Sequence, residues 1–175
     1  MKKDFESFDL SSFWEDSEYS MRAYVDALPS DEEIKKIESE LGYKLPDSYI
    51  ELMRNKNGGI PVNTRFPCQV RTSWAKDHIA IDGFLNIGRT KTFSLCGEGG
   101  SQFMIDSWWY PDIGIYFATC PSAGHDMIAL DYRKCSRDGI PQVVHVDQEY
   151  EYQISFLAEN FETFAMGLTV RDDFD

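Results

Sequence analysis

The sequence predicts an α+β domain, in which a mainly antiparallel sheet is flanked by an N-terminal helical hairpin and a C-terminal helix. Three observations carry that expectation. Apolar residues recur at helical spacing between residues 30 and 59. The period shortens to that of strands between 60 and 147, and helical spacing returns between 154 and 168.

The hairpin has the clearest signals. Ser30-Asp31-Glu32-Glu33 is a capping box, in which the Ser30 hydroxyl satisfies an orphan N–H while Glu33 reaches back. Acids in a first turn also suit the helix dipole. Ile34, Ile37 and Leu41 form the apolar stripe, and Gly42 supplies the stop. Pro46 suits the first turn of a second helix, with Tyr49, Ile50, Leu52 and Met53 on its buried side and Asn57-Gly58-Gly59 at its end. The tight link between the two makes them a helical hairpin.

Strand regions follow at Ile60 to Phe66 and at His78 to Ile87, with Gly83 as a bulge in the second. A short helix is expected from Ser101 to Trp108. Ile113 to Thr119, Asp126 to Tyr132 and Gln142 to Asp147 then read as three strands, divided by Pro121-Ser122-Ala123-Gly124 and Arg137-Asp138-Gly139. Ile154, Leu157, Ala158, Phe161, Phe164, Ala165 and Leu168 predict a closing helix of about four turns. Before residue 29, Phe13, Trp14, Met21, Tyr24, Val25 and Leu28 suggest a helix plus an extended segment that covers the core.

Charge narrows the partners. Asp and Glu total 30 against 17 Lys and Arg, a formal net charge of -13 over 175 residues. Such a field repels nucleic-acid phosphates and anionic membrane surfaces, and it attracts a basic protein. The acids also serve solubility alone. Cys68, Cys96, Cys120 and Cys135 form no C-x-x-C pair, and the N-terminus runs into acids rather than an apolar signal core. Free thiols and a cytoplasmic location are therefore expected.

No catalytic constellation stands out. A G-x-S-x-G elbow, a P-loop and an H-E-x-x-H run are absent, and Gly97-Glu98-Gly99-Gly100 lacks the Lys and hydroxyl that a phosphate loop needs. His125 and Asp126 with His145 and Asp147 suggest a metal at first sight. A hairpin turning near residue 137 sets His145 opposite residue 129, which leaves it roughly 13 Å along the strand from His125. No metal site and no cofactor are expected on that ground. The run Trp108-Trp109-Tyr110-Pro111 reads either as core packing or as an interface anchor.

Several segments resemble the SUKH superfamily, in its Smi/Knr-type branch. They are Leu41 to Tyr49 followed by Asn57-Gly58-Gly59, Trp109-Tyr110-Pro111, Pro121 to Asp126, Leu130 to Arg133, Val143 to Glu149 and Leu157 to Phe164. Ile140 stands before Pro141 where an acidic residue is typical of that branch. The resemblance implies a domain over 30–170; the extension at 1–29, which its aromatics place on the core, and the acidic tail at 171–175 lie outside it.

It also implies a protein-binding role. Bacterial members are typically immunity proteins that neutralise toxins, often nucleases, and fungal members are regulatory or scaffolding proteins. A basic toxin domain is the partner expected here, with no nucleic acid and no membrane. The candidate contacts are Asp112, His125, Asp126 and Glu149, with Trp108 or Tyr110 as an anchor. A rival reading places an acid/base site around His125, Asp126 and Asp131.

Overall fold

The N-terminal segment grips the rest of the chain through three aromatic rings before the first long helix begins. In the computed structural model, which describes residues 5, 8–170 and 174, Asp9 caps a single 3-10 turn at Leu10–Ser12. Ser17 then caps helix α1 (Glu18–Ala23), its hydroxyl accepting from the Ser20 N–H at 3.1 Å. Phe13 stacks on Phe84, and the Trp14 indole N–H donates to Asn55 at 3.0 Å. Tyr24 is sealed from solvent with its hydroxyl 2.7 Å from that of Thr119. The single stripe expected here does not form. Met21 and Leu28 are exposed, because the helix spans only six residues and Phe13 and Trp14 precede it.

Helix α2 (Asp31–Leu41) starts at Ser30, whose hydroxyl accepts from the Glu33 N–H at 3.2 Å. The Glu33 carboxylate answers by accepting from that same hydroxyl rather than from the backbone. Gly42 closes the helix, its N–H reaching the Glu38 carbonyl. Pro46 occupies the cap position of helix α3 (Asp47–Asn55), one step outside the first turn. Ile34, Ile37, Tyr49, Leu52 and Met53 are all buried, so the two apolar faces meet the core as the spacing requires.

The next stretch corrects two expectations. Of residues 60–66 only the end becomes strand β1 (Arg65–Pro67), and residues 78–87 split into β2 (His78–Ala80) and β3 (Gly83–Phe84). β1 and β2 make a two-stranded sheet of their own. Gly83 is no bulge. A Cβ there would lie 2.6 Å from the Tyr24 ring, so the missing side chain makes room for the N-terminal segment.

Helix α4 (Ser101–Trp108) forms as expected and leads to β4 (Gly114–Thr119), β5 (Asp126–Asp131), β6 (Gln142–Asp147) and β7 (Gln153–Ala158). The sheet order is β3-β4-β5-β6-β7, antiparallel throughout. The predicted four-turn closing helix is therefore half strand. Residues 153–158 pair with β6, and Asn160 then caps the short helix α5 (Phe161–Met166) by accepting from the Thr163 N–H at 2.9 Å. Ser155 and Leu157 turn inward while Phe156 faces out, the alternation of a strand.

Both faces of the sheet are covered. Phe84, Phe117, Leu130, Phe161 and Phe164 meet Ile34, Leu52 and the N-terminal Phe13 on one side. Met104, Tyr110, Tyr116, Met127, Val144 and Val146 pack on the other, with Trp108, Tyr152 and Ile154 at the margin. All four cysteines are free, Cys68 and Cys120 buried. No helix of the described residues is long and apolar enough to cross a membrane. Of the expected tail at 171–175, only Phe174 is among the described residues, and its ring stacks on His78.

Candidate partner-binding site

The β4–β5 turn presents the candidate site. Ala123 and Gly124 both adopt left-handed backbone (φ 56° and 98°), which bends the chain sharply ahead of His125. Gly124 has a second reason to lack a side chain, since a Cβ would meet the Trp108 ring at 3.1 Å. The Ser122 hydroxyl accepts from the Asp126 N–H at 2.9 Å and donates to the Asp126 carboxylate, closing the turn on itself. From below, Tyr110 donates to the Gly124 carbonyl at 2.6 Å.

His125 emerges from this turn exposed. Its Nδ1 lies 2.7 Å from the Glu149 carboxylate, and the Trp108 ring meets it edge-on at 5.5 Å. Glu149 sits in a 3-10 turn, Gln148–Tyr150, that follows β6 and is tied back by the Gln148 N–H to the His125 carbonyl at 3.0 Å. A third wall comes from the loop before β2. Buried Asp147 accepts from both the N–H and the hydroxyl of Ser73, each at 2.7 Å, and so holds Trp74 at the rim. The result is a pocket of about 430 Å³ lined by the exposed Ser73, Trp74, His125, Glu149 and Tyr150, with the half-buried Ser122 and the buried Asp126.

Under the pocket the polar groups become fully buried. Asp126 Oδ2 stands 2.7 Å from His145 Nε2, and the donor atoms of Cys120, Asp126 and His145 all lie within 4.8 Å of one another. Burial, and then the Asp126 carboxylate, push the Cys120 thiol well above its ordinary titration range.

The structure brings together some of the predicted contacts and separates others. His125, Asp126 and Glu149 share the pocket, and Trp108 backs it. Tyr110 is buried, and burial holds its phenol protonated, so it supports the turn and presents no ring to a partner. Asp126 is likewise interior, a floor group rather than a surface charge. Asp112 is exposed but belongs to the other end of β4. There it joins Asp131, after burial itself, in raising the Tyr116 phenol. The exposed ring of the Trp-Trp-Tyr run is Trp109, at 78%.

The acid/base set of His125, Asp126 and Asp131 does not converge. Asp131 ends β5 about 17 Å from Asp126 at the usual rise, bound by the Arg133 guanidinium at 2.8 Å. The β5–β6 register sets His145 opposite Ile128 rather than residue 129. His145 therefore meets Asp126, two positions on along the same face, and His125 is left to Glu149. Trp74, Tyr150 and Cys120 belong to no spaced motif in the sequence. The strand alternation Val143, His145, Asp147 against Asp126, Ile128, Leu130 was the available signal for the buried set.

A family model, that of the SMI1 / KNR4 family (SUKH-1), matches residues 28–167. No curated protein and no solved structure shows a significant match to the chain.

Proposed function

The chain belongs to the SMI1 / KNR4 family (SUKH-1), and from that premise we propose that it is an immunity-type protein that neutralises a toxin domain by binding it. The observation that carries this reading is the aromatic-rimmed pocket, whose exposed acid Glu149 and buried acid Asp126 sit on a chain of net charge -13. A basic side chain from the partner would find two flat rings, Trp74 and Tyr150, for cation–π contact and a carboxylate to meet its charge. Aromatic anchors of this kind carry a large share of binding energy at protein interfaces. A nuclease fits the description, because the face it turns to nucleic acid is basic.

Neutralisation by contact asks only that the acidic face cover the toxin's working surface. The test is co-expression with the product of the neighbouring gene, followed by co-purification and an assay of that product's nuclease activity. A stable complex with activity suppressed is the expected result. A complex that leaves the activity intact would replace the immunity reading with a scaffolding one, and no complex at all would remove the partner proposed.

A further inference from the structure

Three consecutive strand segments deliver one sulfur, one oxygen and one nitrogen donor to the same buried point. Thr119 pairs with Met127, so Cys120, just past the end of β4, and Asp126, the first residue of β5, are the next positions out. His145 reaches them from β6, where Ile128 is its partner and Asp126 lies two residues along the same face. Backbone ladders fix Asp126 and His145, and Cys120 follows directly after the last paired residue of β4. All three residues are nearly or fully buried, Cys120 and Asp126 at 2% exposure and His145 at 0%.

We propose that Cys120, Asp126 and His145 form a binding site for a single zinc-class divalent cation at the floor of the pocket. Around a tetrahedral Zn(II), thiolate, imidazole and carboxylate donors stand about 3.3–3.6 Å apart, from bond lengths of about 2.0–2.3 Å. The observed donor atoms lie within 4.8 Å of one another, so the widest pair closes by about an ångström, and Asp126 Oδ2 and His145 Nε2, 2.7 Å apart, would part by somewhat less if both were ligands. A set that includes sulfur selects Zn(II) and its neighbours over Mg(II) or Ca(II), which prefer oxygen alone. Three protein donors leave a fourth position, on the side where Asp126 lines the pocket.

A hydrogen-bonded cluster without an ion accounts for less of what is seen. His145 Nδ1 is buried with no partner among the described residues, and a cation taken at that nitrogen would supply one while Nε2 keeps its contact with Asp126. The donors to Asp126 are Ser122, His145 and the Cys120 thiol, and those to Asp147 come from Ser73. Neither buried carboxylate is paired with Lys or Arg among the described residues. A divalent ion supplies the missing positive charge, and buried carboxylates call for such a partner. On binding, the Cys120 S–H bond is replaced by a sulfur–metal bond and the proton leaves to solvent.

The test uses the full chain, reduced and freed of metal, titrated with Co(II) and then Zn(II). One Co(II) per chain should bind with a thiolate-to-metal charge-transfer band, be displaced by Zn(II), and raise the melting temperature. Cys120→Ser should abolish the band and weaken Zn(II) by more than the roughly 10–100-fold lost when a group that merely supports a ligand is removed. Cys68→Ser, Cys96→Ser and Cys135→Ser should keep it. X-ray absorption on the Zn-loaded wild type should find one sulfur in the coordination sphere, a readout that does not depend on the variants folding. No charge-transfer band in the wild type, a band that survives Cys120→Ser, or a sphere with no sulfur would each overturn the site.

Discussion

Tyr110 donates its hydroxyl to the carbonyl of Gly124 at 2.6 Å, so a ring hidden from solvent holds up the turn that carries His125. Its edge contacts with Tyr116 (5.2 Å) and Tyr152 (5.3 Å) would survive in Tyr110→Phe, and only the hydrogen bond would go. The expected cost is about 0.5–1.5 kcal/mol. Urea melts measure it, and amide exchange at 124–126 should speed up in the same variant. An unchanged melt would mean the turn stands without this support.

Phe161 anchors α5, with Tyr49, Phe117 and Phe84 around it at 4.9, 5.4 and 5.9 Å between ring centroids. Phe161→Ala should cost about 3–5 kcal/mol, the range for a buried aromatic truncation. A loss under about 1 kcal/mol in denaturant melts, far below that range, would show that the core closes over the gap.

Trp109 combines exposure of 78% with a left-handed backbone, φ 64°. That conformation costs a residue with a side chain about 1–2 kcal/mol, while glycine brings an entropy cost of about 0.5–1 kcal/mol. Trp109→Gly should therefore stabilise the fold by up to about 1 kcal/mol. If the indole also anchors the partner, affinity falls in the same variant that melts higher. A lower melting temperature would contradict the strain argument.

Electrostatic steering by the net charge predicts an association rate that falls as salt rises, with dissociation less affected. Glu149→Lys, at an exposed position, should lower the on-rate further and flatten the salt slope. Asp126 is unsuited to the same experiment because its carboxylate is interior and charge reversal there tests folding. A rate indifferent to salt would leave the acids with solubility as their only role.

Alkaline pH should be destructive. Burial raises the phenols of Tyr24, Tyr49, Tyr110, Tyr116 and Tyr132 above their ordinary value of 10.0, and burial followed by Glu40 pushes the Cys96 thiol up to about 12. Above pH 10 the unfolded chain has released protons that the native state keeps, so stability falls as pH rises. Each retained phenol proton costs about 1.4 kcal/mol per pH unit, and several together exhaust a stability of about 5–15 kcal/mol within roughly two units. Melts between pH 8 and 12 should begin to fall from about pH 9, where the unfolded Cys96 thiol titrates, and drop steeply from about pH 10, the free phenol's value. A flat profile to pH 12 would refute the burial of these hydroxyls.

What could be read from the chain was what short-range chemistry decides. Ser30, Glu33 and Gly42 mark their helix through groups within one turn, and the strands of the central sheet alternate clearly between turns. The closing helix misled because Ile154, Leu157 and Ala158 satisfy helical and strand spacing about equally, and the open edge of β6 chose between them. Gly83 could not be understood without Tyr24, which lies 59 positions earlier in the chain and fills its missing side chain's place. The pocket was half visible. His125 and Glu149 were singled out by charge and turn position, whereas Trp74 arrives only because Asp147 grips Ser73. Cys120 needed the strand register before it could be seen beside Asp126.

The order of strands in the central sheet also sets the order in which the molecule can assemble. β4, β5 and β6 each pair with their immediate successor in the chain, so closing Asp131 onto Gln142 involves a short loop. The Tyr24–Thr119 contact instead joins groups 95 residues apart, and by chain statistics it demands about 2 kcal/mol more loop entropy. The meander can therefore zip early, with the N-terminal segment closing over it last as a clasp. In refolding, the backbone signal of the sheet should rise before the fluorescence of Trp14 changes, and cutting the chain between residues 24 and 30 should loosen the clasp while leaving the zipped sheet able to form.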